Sequence, residues 1–197
     1  MIELPVGVVP NSATVTLVDF GGVMRPPLGG PIQRVNRLGN RFRVALGLPP
    51  LRNLDVGRVV VARLLRAKTE GLRVRYPLVG ITPGSPGLPK VMGADQAGSS
   101  LTINGCRPGY GVSEGYPLSI ETDGQHYLHF AAGPSVANGD GEMDLALTPM
   151  LRTSPADNAA IHIARPMVEG LVTGDEWAWE YSLSKMVGIS FEIEEAA

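Results

Sequence analysis

Residues 189–195 read Ile189-Ser190-Phe191-Glu192-Ile193-Glu194-Glu195, and their alternation decides how the chain is assembled. Ile189, Phe191 and Ile193 share one parity while Glu192 and Glu194 take the other, the pattern of a strand with one buried and one wetted face. Upstream of Lys185–Gly188, Trp177, Trp179, Tyr181 and Leu183 hold the same parity with Glu180 opposite, so a pair of half-buried strands is predicted. Two strands this apolar cannot stand alone in water. The residues just before them carry strands of their own, so the terminal pair is expected to join strands from the N-terminus.

The N-terminal partners are visible. Thr14–Phe20 is rich in β-branched residues and stops at Gly21-Gly22, a strand signature. The Pro- and Gly-rich run from Arg25 to Pro31 cannot hold regular structure. Ile32–Leu38 and Arg41–Leu46 flank Gly39-Asn40, a two-residue hairpin signal. Phe42, Val44 and Leu46 alternate with Arg41, Arg43 and Ala45, so one face is basic. Pairing with the last strand would set its glutamates beside these arginines.

One helix is predicted, opened by Asp55 and stopped after Glu70 by Gly71. Val56, Val59, Val60, Leu64 and Ala67 lie on one side, and Val61 and Leu65 break the polar side. A helix apolar this far round calls for cover from a second layer or a neighbouring subunit. From Pro77 to Pro89, Pro and Gly signal a linker. Beyond it come short alternating segments at 101–104, 118–121, 126–131, 143–147 and 160–163, with turns such as Thr122-Asp123-Gly124 and Asn138-Gly139-Asp140-Gly141. Short strands without an intervening helical pattern predict a small β-barrel or sandwich. The fold class is therefore mainly β (α+β), a sandwich-like unit with one helix interrupted by a β-insertion.

Composition narrows the function. The 197 residues contain 44% apolar residues and one cysteine, Cys106, so a globular core is expected and a disulfide scaffold or cysteine-held zinc is not. No run reaches the roughly 18 apolar residues of a membrane span, and Met1–Asn11 lacks a basic leader, so a soluble, unprocessed chain is expected. The net charge of −2 hides a division: residues 1–90 hold 13 Lys+Arg and 4 Asp+Glu, and residues 91–197 hold 4 and 15. Halves of +9 and −11 suit parts that face each other or a neighbouring copy. Without exposed aromatics interleaved among the arginines, Phe20, Phe42 and Tyr76 being expected inside, specific nucleic-acid binding is not predicted.

Three strings touch on chemistry. Gly111-Val112-Ser113-Glu114-Gly115 matches the G-x-S-x-G of hydrolase elbows, but Pro117 and a strand pattern follow where a helix is required. His126 and His129 lie three apart on a strand and so on opposite faces, which keeps them from one metal; His162 is the third histidine. Asn138, Asp140, Glu142 and Asp144 alternate like oxygen ligands of a calcium loop but lack the downstream bidentate Glu. No catalytic, cofactor or metal site is assigned, and no enzyme activity is expected.

The order of parts resembles a known family. An N-terminal strand, a Pro/Gly loop, an Arg-rich hairpin, a helix, an inserted block and the final Ile189–Glu195 strand resemble the distal tail (minor tail) proteins of long-tailed bacteriophages. Val91–Leu101, Gly115-Tyr116-Pro117-Leu118 and Leu147-Thr148-Pro149-Met150-Leu151-Arg152 are similar to segments of the β-domain such proteins carry. The resemblance implies a virion protein at the tail tip, present in the host cytoplasm during assembly. It implies a ring, expected to be hexameric, at the end of the tail tube, contacting the tube protein and the tip or hub proteins. Residues 1–88 and 168–197 would form the ring and 89–167 the insertion. Because a ring closes heterologously, Arg34, Arg37, Arg41 or Arg43 of one copy is expected to meet Glu192, Glu194 or Glu195 of the next. The insertion is a candidate seat for a tail fibre or a host-surface sugar. A carbohydrate-binding module using Tyr110, Tyr116 and Tyr127 is the alternative reading.

Overall fold

In the computed structural model the described residues are 1–174, 176 and 178–196, without the Tyr181 side chain. Strands take 43% of the chain and helical turns 9%, a mainly β fold with one α-helix among the described residues. The first sheet has six strands in the order Ile2–Glu3, Leu72–Arg75, Met167–Thr173, Ser190–Glu195, Arg41–Gly47 and Ser12–Val18. The final strand lies between an N-terminal strand and Met167–Thr173, with Ile193 opposite Val44 and Glu194 opposite Arg43. Its parity explains the placement, because Phe191 and Ile193 enter the core with Phe42, Val44 and Leu46. Gly170 faces Glu195 across the ladder, and a Cβ there would collide with the Glu194 carbonyl, so this close approach requires glycine.

The second sheet runs Ile161–His162, Pro117–Thr122, Gln125–Ala131, Met143–Thr148, Ser100–Cys106 and Gly87–Val91. All its strands come from 87–162, and all those of the first sheet from 2–75 and 167–195. Thr122 pairs with Gln125 around Asp123-Gly124, both at positive φ, the backbone this two-residue turn demands. The Pro117–Ala131 hairpin is buried on both faces. Leu118, Ile120 and Ala131 pack in the second core, while Leu128 and Phe130 pack in the first. The insertion is thus a wall shared by two cores.

Several expectations change. The helix spans Arg58–Glu70 and follows a wide turn at Asn53–Gly57, so it starts three residues after Asp55. Its buried stripe is Val60, Val61, Leu64 and Ala67, whereas Val59 and Leu65 are exposed. Gly71, at positive φ, ends it and donates its N–H to the Ala67 carbonyl. Gly39-Asn40 is not a hairpin turn: Gln33–Val35 pairs with Gly22–Met24 around the 25–32 loop. Arg41–Gly47 instead pairs with Ser12–Val18, from Val18 opposite Arg41 to Ser12 opposite Gly47. The 19–40 stretch is therefore an excursion between neighbouring strands, pinned at its base where Asn40 Oδ1 accepts the Phe20 N–H at 2.7 Å. Among its described residues, the segment carrying the tryptophans forms no long strand. Of these, only Glu180–Tyr181 pairs, with Met186–Gly188, and Leu183 is fully exposed because a turn closes where Lys185 N–H reaches the Ser182 carbonyl. Trp177 lies outside the described residues. The predicted linker also contains a strand, Gly87–Val91, placed at a sheet edge that accommodates Pro89.

Candidate functional site

Three features have the chemistry to act: an acidic strand among arginines, an exposed arm, and a polar cluster on the shared wall. The first holds the residues that the sequence reading assigned to contacts between copies. Within one chain, Arg43 Nη2 lies 2.7 Å and Arg41 Nε 3.1 Å from the Glu194 carboxylate, with Glu192 3.7 Å from Arg43. The cause is register, since the glutamate parity of the last strand falls against the arginine parity of its neighbour.

Glu195 differs in kind. Its side chain is fully buried, accepting the N–H of Phe42 at 2.8 Å and of Leu128 at 2.7 Å, with Arg152 Nη2 at 3.0 Å. Burial pushes its carboxyl above the ordinary range, against the opposing pull of Arg152 and the two amides. The buried Arg152 guanidinium also lies over the Tyr127 ring, 4.8 Å from its centroid. One carboxylate thus joins the first sheet, the shared wall and the loop between the Met143–Thr148 and Ile161–His162 strands of the second sheet. Its burial within the chain takes Glu195 out of reach of a neighbouring copy, correcting its assignment to a subunit contact. Arg34 pairs with Asp19. Arg37 is exposed and has no ion pair among the described residues.

The second feature is the arm. Every residue from Val23 to Gly39 is exposed. It carries Val23, Met24, Leu28, Ile32, Val35 and Leu38, with Leu28 98% and Ile32 65% exposed. A ribbon of three residues paired with three has no core of its own and is marginal in water. Phe20, expected inside, is exposed at its base beneath the Arg41 guanidinium, 4.9 Å from the ring centre.

The third is the wall cluster. His162 lies opposite Ser119, and His126 opposite Glu121, so His162, Glu121 and His126 share a face across three adjacent strands. His162 Nε2 is 3.4 Å from Glu121 Oε2, and the two imidazole centroids are 4.9 Å apart. One donor atom from each residue lies within 4.8 Å of the others. His126 is 5% exposed, and its Nδ1 has no hydrogen-bond partner. Burial, aided by Arg73 and His162, lowers its pKa to about 4, so the ring is neutral at pH 7. His129 faces the other way, its Nδ1–H donating to the Pro149 carbonyl at 2.9 Å, as the strand period requires. Sequence reasoning weighed His126 against His129 and missed His162, whose proximity depends on strand order rather than spacing.

The remaining strings resolve locally. Ser113 follows a two-residue strand in a Gly-rich turn rather than opening a helix, and it lines an open cleft of about 630 Å³. Tyr110 and Tyr116 line the same cleft, but Tyr116 is buried and Tyr110 gives its hydroxyl to the Pro83 carbonyl. With Tyr127 under Arg152, the three tyrosines form no common stacking face. In the acidic turn, Asn138 Oδ1 accepts the N–H groups of Asp140 and Glu142, so the would-be ligand caps its own turn. No family model and no curated protein matches this sequence.

Proposed function

We propose that the chain is a structural subunit of a bacteriophage tail tip, assembling with copies of itself into a ring, hexameric in the family it resembles, at the distal end of the tail tube. The carrying observation is the arm: seventeen consecutive exposed residues, 23–39, with six large apolar side chains. Water is a poor partner for such a ribbon, and a neighbouring subunit is a good one. The contact suits a second copy because it is heterologous, arm on body, which is the contact type a ring repeats. Charge points the same way. Once Arg41 and Arg43 are paired within the chain, Arg25 and Arg37 remain as exposed arm cations, while Glu114, Asp123, Asp140 and Asp157 are exposed in the acidic half. In this reading, residues 1–88 and 168–197 build the ring and 89–167 project from it toward tip proteins, fibres or host glycan. Its place is the virion, after assembly in the host cytoplasm.

Mass photometry and negative-stain imaging of the purified protein test the reading. A closed ring is expected for the wild type, and Leu28→Ser with Ile32→Ser should give monomers with an unchanged melting temperature. A wild type that stays monomeric at micromolar concentration, or a double variant that still closes the ring, overturns it.

A further inference from the structure

The polar cluster on the shared wall is the most ligand-like constellation among the described residues. We propose that Glu121, His126 and His162 bind one divalent transition metal ion of the zinc type.

Two imidazoles and a carboxylate are an ordinary donor set for such an ion, which accepts nitrogen and oxygen together at about 2.0–2.2 Å. Tetrahedral coordination then requires donor atoms roughly 3.5 Å apart. The pair His162 Nε2 and Glu121 Oε2 already stands at 3.4 Å. The His126 atom lies within 4.8 Å of both, so a small closing movement completes the triangle. Glu121 and His162 are partly exposed, which leaves entry for the ion and room for water as a fourth ligand.

The second observation is independent of this spacing. A histidine buried to 5% exposure whose Nδ1 lacks a partner forgoes a hydrogen bond that native interiors rarely omit. Arg73, whose charge acts on His126, is drawn off: its Nε lies 2.6 Å from Glu169, Nη1 3.7 Å from Glu3, and Nη2 donates to the Gly124 carbonyl. Glu169 also accepts the His126 backbone N–H at 3.4 Å, steadying the strand that carries the ring.

The ion would clip the Ile161–His162 strand to the Pro117–Ala131 hairpin, just before the chain returns to the first sheet. Met167 N–H already donates to Ser119 Oγ on the same face, at 2.9 Å. The site is therefore a staple at the seam.

Titration of the chelator-treated full chain with Zn²⁺ by calorimetry, and with Co²⁺ by visible absorption, tests this. One ion per chain and the ligand-field bands of low-coordinate Co²⁺ are expected. His162→Gln and Glu121→Gln alter partly exposed groups, so both should fold as the wild type does, checked by circular dichroism. Each should weaken binding by at least about tenfold, the loss that even supporting residues of metal sites cause. Failure of the wild type to bind either ion, or binding by both variants at wild-type strength, overturns the proposal.

Discussion

The two sheets dispose of their apolar residues differently. Between residues 87 and 163 only Leu88, Met92 and Val136 are large apolar side chains left exposed, whereas Leu17, Phe20, Val23, Met24, Leu28, Ile32, Val35 and Leu38 are exposed in one stretch of the other region. The inserted strands close over their own core; the first sheet carries an arm in which every residue from Val23 to Gly39 stays exposed. A region complete by itself is suited to projecting into solvent, and one with unspent apolar surface to meeting a neighbour. The seam between them is nonetheless tight, because the hairpin wall contributes Leu128 and Phe130 to the first core and Glu195 accepts amides from both sides.

Whether the two regions are independent is tested most severely at Glu195. Glu195→Ala leaves the Arg152 charge buried without its counter-ion, and chemical denaturation should show a loss of about 4 kcal/mol. Both sheets are expected to lose protection together in hydrogen exchange. Survival of the second sheet alone would mean that the regions unfold separately. Leu128→Ala removes a fully buried side chain from the core it does not share in sequence, and about 3 kcal/mol should go, read in the same titration. Acid probes the wall of the metal-free chain as a whole. His126 and His129 are both lowered to about 4 by burial. The unfolded chain therefore takes up their protons first, near 6.5, and stability is full above that pH and falls as pH drops toward 4. At pH 5 the loss should approach about 2 kcal/mol per histidine, visible as a lower melting temperature than at pH 7. Weakest of all, Arg43→Ala touches only a partly exposed ladder, where Arg41 still pairs with Glu194, and a slight decrease in melting temperature that shrinks in high salt is expected.

The last strand was legible because a period of two survives in seven residues, and burial of Phe191 and Ile193 enforces it. The second sheet was legible for the same reason, its turns being marked by Asp123-Gly124 and Asn138–Gly141. Gly39-Asn40 misled because local turn chemistry was outweighed by pairing across 19–40, a long-range preference no dipeptide encodes. The tryptophan segment misled through a parity that the turn at Ser182–Lys185 interrupts. The charge division was visible in the composition, but only the register told that Arg41 and Arg43 meet their carboxylates at home. Glu195, adjacent to Glu194 and alike in sequence, is set apart by the opposite parity alone. The Glu121–His126–His162 face was invisible, since 36 residues and the order of three strands separate its two histidines.

Leu72–Arg75 and Met167–Thr173 are antiparallel neighbours, with Arg75 opposite Met167 and the Tyr76 N–H bonded to the Pro166 carbonyl. Without the residues between, these two strands would close as a simple hairpin. The insertion is thus grafted at a point where chain leaves and re-enters side by side, the geometry that lets one cassette be exchanged for another. An exchange that kept a counterpart of Leu128 and of Arg152 would find the host sheet ready for it; one that did not would leave a carboxylate stranded in oil.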